Sequence, residues 1–173
     1  AIFRERRWNR QKRAAALPKK FATSCSTLWG LGSLNAPGTW GSAAGVVFYA
    51  ALFAGMGLGR YIVFSVLLAY ISVGICDCAE RFLKMRDPGC IVLDEFCAIP
   101  FCFLPVFHSE YSAWGILLGF ALFRFFDISK PLFINKMQDF EGGLGCVADD
   151  IAAALVSCAC LNLAGLALPV VFA

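Results

Sequence analysis

The chain has 173 residues, a length that suits one domain better than two. Hydrophobic residues make up 60% of it and charged residues 16%, against roughly 45–50% and about 25% in soluble domains. This composition excludes a disordered chain, a coiled coil, collagen and an ordinary nucleic-acid-binding domain. It predicts an all-α, polytopic membrane protein, with the lipid bilayer and not a nucleic acid as its surroundings.

Basic residues are concentrated at the amino terminus. Residues 1–20 carry eight basic residues and one acidic residue, a net charge of +7, and residues 21–173 carry seven basic and eleven acidic residues, a net charge of −4. Beside membrane spans, such a segment is typical of a cytoplasmic anchor held by anionic lipid headgroups. We therefore interpret residues 1–20 as a basic cytoplasmic tail and residues 21–173 as a membrane-embedded domain.

Charge-free runs define the predicted elements, because about 20 apolar residues cross a bilayer core. Phe21–Leu34 is short, so we expect a re-entrant or interfacial helix there, followed by a turn-rich segment at 35–42. Brief turns at Gly59-Arg60 and His108–Glu110 predict two tight hairpins, and a polar loop is expected at 127–145. The five predicted spans are Ser42–Gly59, Tyr61–Cys76, Ile91–Phe107, Tyr111–Phe126 and Ile151–Ala173.

The distribution of basic residues predicts the orientation of these spans. With five spans, one side of the membrane carries 14 of the 15 basic residues and the other side carries Arg60 alone. The positive-inside rule places the first side in the cytoplasm, which puts the carboxyl terminus outside. On this topology ten of the twelve acidic residues lie on the cytoplasmic face of the membrane domain, Glu5 lies in the tail and Glu110 lies on the other face.

The nine cysteines are predicted to be free thiols. Their number is odd, no Cys-x-x-Cys pair occurs, and most of them lie in apolar runs, where a thiol behaves as a small hydrophobe. The pattern therefore favours neither a disulfide framework nor a zinc site.

Two pairs of adjacent acids are the strongest candidates for a functional site. Asp94-Glu95 and Asp149-Asp150 each open a predicted span on the same face, where ionisable groups are costly and usually functional. Clustered carboxylates repel one another unless a cation neutralises them, and such oxygen ligands suit Mg²⁺. Asp77, Glu80 and Arg81 are instead interpreted as helix-end charges, with Asp77 and Arg81 spaced to form an i,i+4 pair.

Phosphate-binding groups are a second candidate feature. Arg124, Asp127 and Lys130 are spaced so that one broad helix face presents all three. Arg and Lys there could hold a phosphate, or they could be positive charges that flank a span, and the spacing does not decide between these. The helix start at Pro37–Ser42 offers free backbone N–H groups and two hydroxyls, which suit an anion.

Several catalytic classes are excluded by missing residues. No Cys-x5-Arg or Asp-x-Asp motif occurs, and the single histidine, His108, lies in the turn on the opposite face. Any hydrolysis must therefore rely on carboxylates and a metal ion.

Four segments in register resemble one family, phosphatidylglycerophosphatase A, over about residue 21 to the end. They are Pro37-Gly38-Thr39-Trp40-Gly41-Ser42; Asp87-Pro88-Gly89-Cys90-Ile91-Val92-Leu93-Asp94-Glu95; Arg124-Phe125-Phe126-Asp127-Ile128-Ser129-Lys130-Pro131; and Gly142-Gly143-Leu144-Gly145-Cys146-Val147-Ala148-Asp149-Asp150. The resemblance implies a multi-pass enzyme of the bacterial inner membrane. Its activity would be Mg²⁺-dependent removal of the terminal phosphate of phosphatidylglycerophosphate, which yields phosphatidylglycerol for phospholipid biosynthesis.

Roles for individual residues follow from the same resemblance. It implies metal or catalytic acids at Asp94, Glu95, Asp149 and Asp150. It also implies supporting or phosphate-contacting positions at Thr39, Asp87, Arg124, Asp127 and Lys130. The hydroxyl of Ser42, at the predicted helix start, is a further candidate for substrate binding. The chain departs from the family where a glycine commonly follows each acid pair, since Ala98 and Ala154 stand there.

The predicted mechanism is hydrolysis at the cytoplasmic interface. Mg²⁺ would polarise the phosphate and activate a water, while Arg124 and Lys130 offset developing charge; Asp127 remains an alternative covalent nucleophile. A transporter or channel that binds a cation is the alternative function, although transporters usually place ionisable groups near the midplane and often contain inverted repeats. The sequence makes no prediction of oligomeric state.

Overall fold

The computed structural model describes residues 17–106, 111–131, 134, 137, 140 and 142–167. Within these residues the secondary structure is entirely helical, without a β-strand, which confirms the all-α prediction. Six α-helices occur there, together with a short 3-10 helix at Leu31–Ser33. They are α1 (Lys19–Ser26), α2 (Pro37–Leu52), α3 (Leu58–Leu83), α4 (Leu93–Cys102), α5 (Ala113–Ser129) and α6 (Gly143–Ala167).

Helix α6 is the centre of the bundle. It packs against α3, α4 and α5, while α2 packs on the other side of α4. Aromatic side chains fill the core, including Tyr49 stacked on Phe103 with ring centroids 4.6 Å apart. The Tyr61 hydroxyl donates to the Pro100 carbonyl at 2.6 Å, which ties α3 to α4.

In the part of the chain that the structure describes, two helices are long and apolar enough to cross a membrane, Leu58–Leu83 and Gly143–Leu166. Helix α3 also exposes large apolar side chains, among them Val63 and Tyr70, along its outer face. A bilayer covers such a face, whereas water would disfavour it.

The count of five spans is not confirmed by these helices. Helix α4 has 10 residues and is mostly buried, so at 1.5 Å per residue it extends only about 15 Å. Helices α2 and α5 have 16 and 17 residues, short of the 20 or so that a bilayer core needs. The predicted third span is not confirmed, because an apolar run around Pro100 is equally suited to a short helix buried inside a protein.

Several predicted boundaries are wrong. The predicted turn at Gly59-Arg60 is part of α3. The connection between α2 and α3 lies earlier, at 53–57, where Gly55 adopts a φ of 73°. The predicted turn-rich segment ends at residue 36 and not at 42, because Pro37–Ser42 is already the start of α2, as the interpretation of Pro37–Ser42 as a helix start predicted. The predicted loop at 127–145 is also too long, because α5 continues to Ser129 and α6 begins at Gly143. The predicted turn at 108–110 lies outside the described residues.

All nine cysteines are free, as predicted, and six of them are buried. The two alanines at the family's glycine positions, Ala98 and Ala154, are fully buried in the core cluster. Their small side chains therefore still permit close packing of α4 and α6.

Candidate active site

Four helix ends meet at one end of the bundle and carry the predicted acids. Helix α4 begins with Asp94 and Glu95, and α6 brings Asp149 and Asp150 from its second turn. Helix α5 contributes Arg124 and Asp127 from its last turns, and α2 contributes its first turn. The sequence prediction that the two acid pairs converge is thus supported by the packing of α4 against α6.

Three carboxylates converge closely enough to hold one cation. Asp94, Glu95 and Asp150 each offer an oxygen, and these oxygens lie within 4.8 Å of one another. Asp94 and Asp150 are only 4% exposed. The Glu95 Oε2 atom is buried and finds no hydrogen-bond donor among the described residues. A buried carboxylate oxygen without a donor is costly, and a bound cation would remove that cost.

The Asp94 carboxylate has donors on both oxygens. Its Oδ1 accepts a hydrogen bond from the Glu95 backbone N–H at 3.0 Å. Its Oδ2 accepts from the Cys146 thiol at 2.6 Å. Residue spacing did not single out Cys146, because one cysteine between a glycine-rich turn and a predicted span is indistinguishable from a core residue.

Arg124 and Asp127 form an ion pair next to these carboxylates. The Arg124 Nη1 atom lies 2.6 Å from Asp127 Oδ2 and also donates to the Ser42 hydroxyl at 3.3 Å. Asp127 is 7% exposed, and its charge lies close enough to act on the buried carboxyl group of Asp150. Arg124 therefore connects Ser42, in the second turn of α2, to the acids of α5 and α6.

Lys130 pairs with Asp149 and does not share a helix face with Arg124. Helix α5 ends at Ser129, and Lys130 adopts a left-handed φ of 37° just before Pro131. Its Nζ atom lies 2.5 Å from Asp149 Oδ2. Burial lowers the pKa of Lys130, but the hydrogen bond and charge of Asp149 outweigh it, so the pKa is raised and the amine stays charged. The predicted i, i+6 helical face is thus wrong at Lys130.

The charges of this site do not balance. The cluster holds five acids (Asp94, Glu95, Asp127, Asp149 and Asp150) and two bases, Arg124 and Lys130, a formal excess of three negative charges. Because Arg124 and Lys130 already pair with Asp127 and Asp149, the excess lies on Asp94, Glu95 and Asp150. One divalent cation would offset most of it.

Gly38 allows α2 to approach this cluster. A Cβ atom at Gly38 would collide with Glu95 Oε1 and would lie 3.1 Å from both terminal nitrogens of Arg124. Ser42, one turn later, is fully buried and donates to the Gly38 carbonyl at 2.7 Å. Thr39, next to Gly38 in the first turn of α2, is exposed, and within the described residues no hydrogen bond joins it to the carboxylates.

The loop before α4 carries Asp87 near the same cluster. Asp87 is exposed with a left-handed φ of 46°, and its Oδ1 lies 3.6 Å from the Cys146 sulfur. Its backbone N–H donates to Glu80 Oε1 at 2.7 Å. Glu80, interpreted from sequence as a helix-end charge, thus fixes this loop. Asp77 and Arg81 form the predicted i,i+4 ion pair.

Comparison with known proteins identifies the family. The sequence model described as phosphatidylglycerophosphatase A matches residues 24–165. The chain belongs to the phosphatidylglycerophosphatase A family. The match covers the end of α1, all of α2 to α5 and α6 as far as residue 165, which includes all four helix ends of the cluster.

Three relatives bear phosphatase names. A phosphatidylglycerophosphatase A of Haemophilus influenzae is 38% identical over 121 residues, which cover 69% of this chain and 73% of the relative. One of Escherichia coli is 31% identical over 130 residues, 75% of this chain and 74% of the relative. A putative phosphatidylinositol-3-phosphatase of Bacteroides thetaiotaomicron is 40% identical over 72 residues, 42% of this chain and 45% of the relative. No solved structure matches the chain. These matches give no support to a transporter or channel.

Proposed function

We propose that this chain is a Mg²⁺-dependent membrane phosphatase that hydrolyses phosphatidylglycerophosphate to phosphatidylglycerol and phosphate in phospholipid biosynthesis. Membership of the phosphatidylglycerophosphatase A family makes it a phosphatase of phosphate monoesters. The observation that carries the proposal is the convergence of Asp94, Glu95 and Asp150 at the meeting point of four helix ends.

The donor set fits Mg²⁺ as the cofactor. Three carboxylates within 4.8 Å, one with a buried oxygen that lacks a donor, form the hard, oxygen-only site that this ion prefers. Asp94, Glu95 and Asp150 would hold the ion. When bound, it would supply Lewis-acid polarisation of the phosphate and promote formation of the water nucleophile.

The remaining residues of the cluster bind and orient the phosphate. Arg124 and Lys130 are the two cations that can offset charge on the phosphate oxygens in the transition state. Their partners Asp127 and Asp149 hold them in place before substrate binds. The first turn of α2, which contacts Glu95 and Arg124, adds the positive end of a helix dipole.

Water is the attacking group in this proposal. Asp127 is the one alternative nucleophile, but its Oδ2 accepts a short hydrogen bond from Arg124. That bond lowers the nucleophilicity of the carboxylate and suits Asp127 to positioning Arg124. A covalent aspartyl-phosphate is therefore not part of the proposed reaction.

The proposed location is the bacterial inner membrane, with a multi-pass chain and a site that faces the cytoplasm. Two apolar helices and a basic amino-terminal segment support it. The lipid tails would enter laterally between helices, so that the headgroup reaches the carboxylates without leaving the membrane.

Phosphate release from defined lipids tests the function. Purified protein in detergent is given phosphatidylglycerophosphate, phosphatidylinositol 3-phosphate or phosphatidic acid, each with Mg²⁺ or with a chelator. We expect rapid release from phosphatidylglycerophosphate only with Mg²⁺. Equal rates with chelator would overturn the metal role, and a preference for phosphatidylinositol 3-phosphate would reassign the substrate.

Reporter fusions test the orientation. The start of α6 packs on the carboxyl-terminal half of α3, where a Cβ at Gly143 would collide with the backbone of Val73 and Asp77, and the proposed orientation places this end of α3 in the cytoplasm. A 24-residue span then carries the chain to the other side. Reporters after Ala173 and within 132–141 are expected on opposite sides, the second in the cytoplasm. Two cytoplasmic reporters would contradict this topology.

Replacing all nine cysteines with serine or alanine is expected to keep phosphate release within about tenfold of the wild-type rate, about 1.4 kcal/mol of barrier. No thiol is proposed to attack the substrate, although Cys146 hydrogen-bonds Asp94. The measurement is phosphate release from the folded variant. A thousandfold loss would identify a cysteine nucleophile.

A further inference from the structure

Cys146 lies beside the carboxylate cluster, but the proposed hydrolysis makes no use of it. It is 5% exposed, and its sulfur contacts Asp94 Oδ2 at 2.6 Å and Asp87 Oδ1 at 3.6 Å. The sulfur and one oxygen from each acid lie within 4.8 Å of one another. One cation could therefore contact all three.

Two more thiols surround the same acid. Cys76, fully buried on α3, belongs to the same cluster of buried side chains as Cys146. The Cys97 sulfur donates to the Asp94 backbone carbonyl at 3.2 Å. Asp94 thus belongs to two groups of potential ligands, one with oxygen atoms of Glu95 and Asp150 and one with an oxygen of Asp87 and the sulfur of Cys146.

These two groups of ligands differ in the cations that they favour. Mg²⁺ prefers oxygen ligands, whereas Zn²⁺ and the larger Cd²⁺ bind thiolate sulfur well and accept carboxylates as further ligands. A site of one sulfur and two carboxylates therefore selects a different class of cation from the site formed by three carboxylates.

We propose that Asp87, Asp94 and Cys146 form a second cation site, which takes a thiophilic divalent cation such as Zn²⁺ or Cd²⁺ and shares Asp94 with the Mg²⁺ site. On binding, the thiol releases its proton to solvent and the sulfur bonds to the cation. Because this cation takes Asp94 as a ligand, Asp94 is less available to Mg²⁺, and binding of the second cation therefore inhibits hydrolysis. The inhibition rests on the proposed function, whereas the binding does not.

The competing explanation is that Cys146 serves only as a hydrogen-bond donor to a buried carboxylate. Cys146→Ser keeps a donor of similar size but is a poor ligand for Cd²⁺, so it separates the two explanations. Asp87→Asn removes one charged ligand from an exposed position, and asparagine tolerates the left-handed backbone there. Cys158→Ser is the matched control, a buried cysteine three turns further along α6.

The binding experiment titrates the full chain in detergent with Cd²⁺ and follows the ultraviolet thiolate-to-Cd²⁺ charge-transfer band. Wild type and Cys158→Ser should bind alike, and Cys146→Ser should lose the band of the tightest site. Asp87→Asn should keep the band at saturation but require at least tenfold more Cd²⁺. If either Cys146→Ser or Asp87→Asn gave the same Cd²⁺ titration curve as wild type, the proposed site would be overturned. If Cys146→Ser does not fold, the titration of Asp87→Asn decides.

Inhibition is measured as Cd²⁺-dependent loss of phosphate release at fixed Mg²⁺, relative to the Cd²⁺-free rate of each protein. Cys146→Ser should need at least tenfold more Cd²⁺ than wild type or Cys158→Ser. Equal sensitivity of all three would overturn the shared-ligand proposal. If no protein releases phosphate while the Cd²⁺ titrations behave as expected, the proposed function fails and the cation site stands.

Discussion

Asp94→Asn and Asp150→Asn are each expected to lower Mg²⁺-dependent phosphate release at least a hundredfold, about 2.7 kcal/mol of barrier. The two acids come from different helices, yet both contribute an oxygen to the group that also includes Glu95. Asparagine keeps the size and polarity of aspartate but removes the charge that holds a cation. Phosphate release is measured over a range of Mg²⁺ concentrations, and excess Mg²⁺ should partly restore a variant that has lost only affinity.

Stability should respond in the opposite direction to activity. Asp94 and Asp150 are buried close to other acids, so removing one charge relieves repulsion when no cation is bound. We therefore expect the melting temperature in chelator to be at least that of wild type. If these acids served only the helix dipole, their loss would instead cost about 0.3–1 kcal/mol of stability and leave turnover nearly normal.

Asp77→Asn is the matched control for these variants. Asp77 is an acid at the same end of the bundle, but it pairs with Arg81 on its own helix. Its replacement should change turnover only a few-fold. Normal turnover in both Asp94→Asn and Asp150→Asn would end the assignment of the site to these carboxylates.

The position of the site could be predicted because acids interrupt otherwise apolar runs. Burying Asp94-Glu95 or Asp149-Asp150 in a lipid-facing segment is costly, so each pair has to lie at a helix end or against protein. Helix α4 begins one residue before Asp94, as this argument requires. The predicted topology placed the two pairs on the same face, where they converge. It also predicted five spans, whereas two helices among the described residues are long and apolar enough to cross a membrane.

The roles of neighbouring residues could not be predicted from sequence. Asp149 and Asp150 are adjacent, but consecutive side chains on a helix point about 100° apart. Asp150 therefore joins Asp94 and Glu95, while Asp149 meets Lys130. Which of the two faces the cation depends on the rotation of α6, and packing against three other helices fixes that rotation.

The partners of Lys130 and Glu80 could not be predicted from residue spacing, because both contacts are made at or beyond a helix end. The sequence spacing of Lys130 assumed a continuous helix, but α5 ends at Ser129 because the residue before a proline is disfavoured in helical geometry. Glu80 binds the backbone of Asp87 seven residues away, across the end of α3. Contacts made through a helix end depend on the path of the loop, which residue spacing does not encode.

Gly38→Ala is expected to lower phosphate release about thirtyfold, about 2 kcal/mol of barrier, with little loss of stability. The added Cβ would collide with Glu95 Oε1 and would crowd both terminal nitrogens of Arg124. These atoms are the ends of flexible side chains, so they can move aside at small cost to the fold. Their movement, however, displaces a proposed ligand of the cation and a proposed phosphate-binding group.

The readout that distinguishes this effect is the Mg²⁺ requirement. Because Glu95 is displaced, half-maximal rate in Gly38→Ala should need a higher Mg²⁺ concentration than in wild type, while the melting temperature stays close to wild type. Gly74→Ala is the matched control, since a Cβ at this helical glycine of α3 meets nothing within 4 Å and alanine favours the helix by up to about 1 kcal/mol. Gly74→Ala should therefore retain its turnover and Mg²⁺ requirement. An unchanged Mg²⁺ requirement in Gly38→Ala would show that the first turn of α2 does not position Glu95.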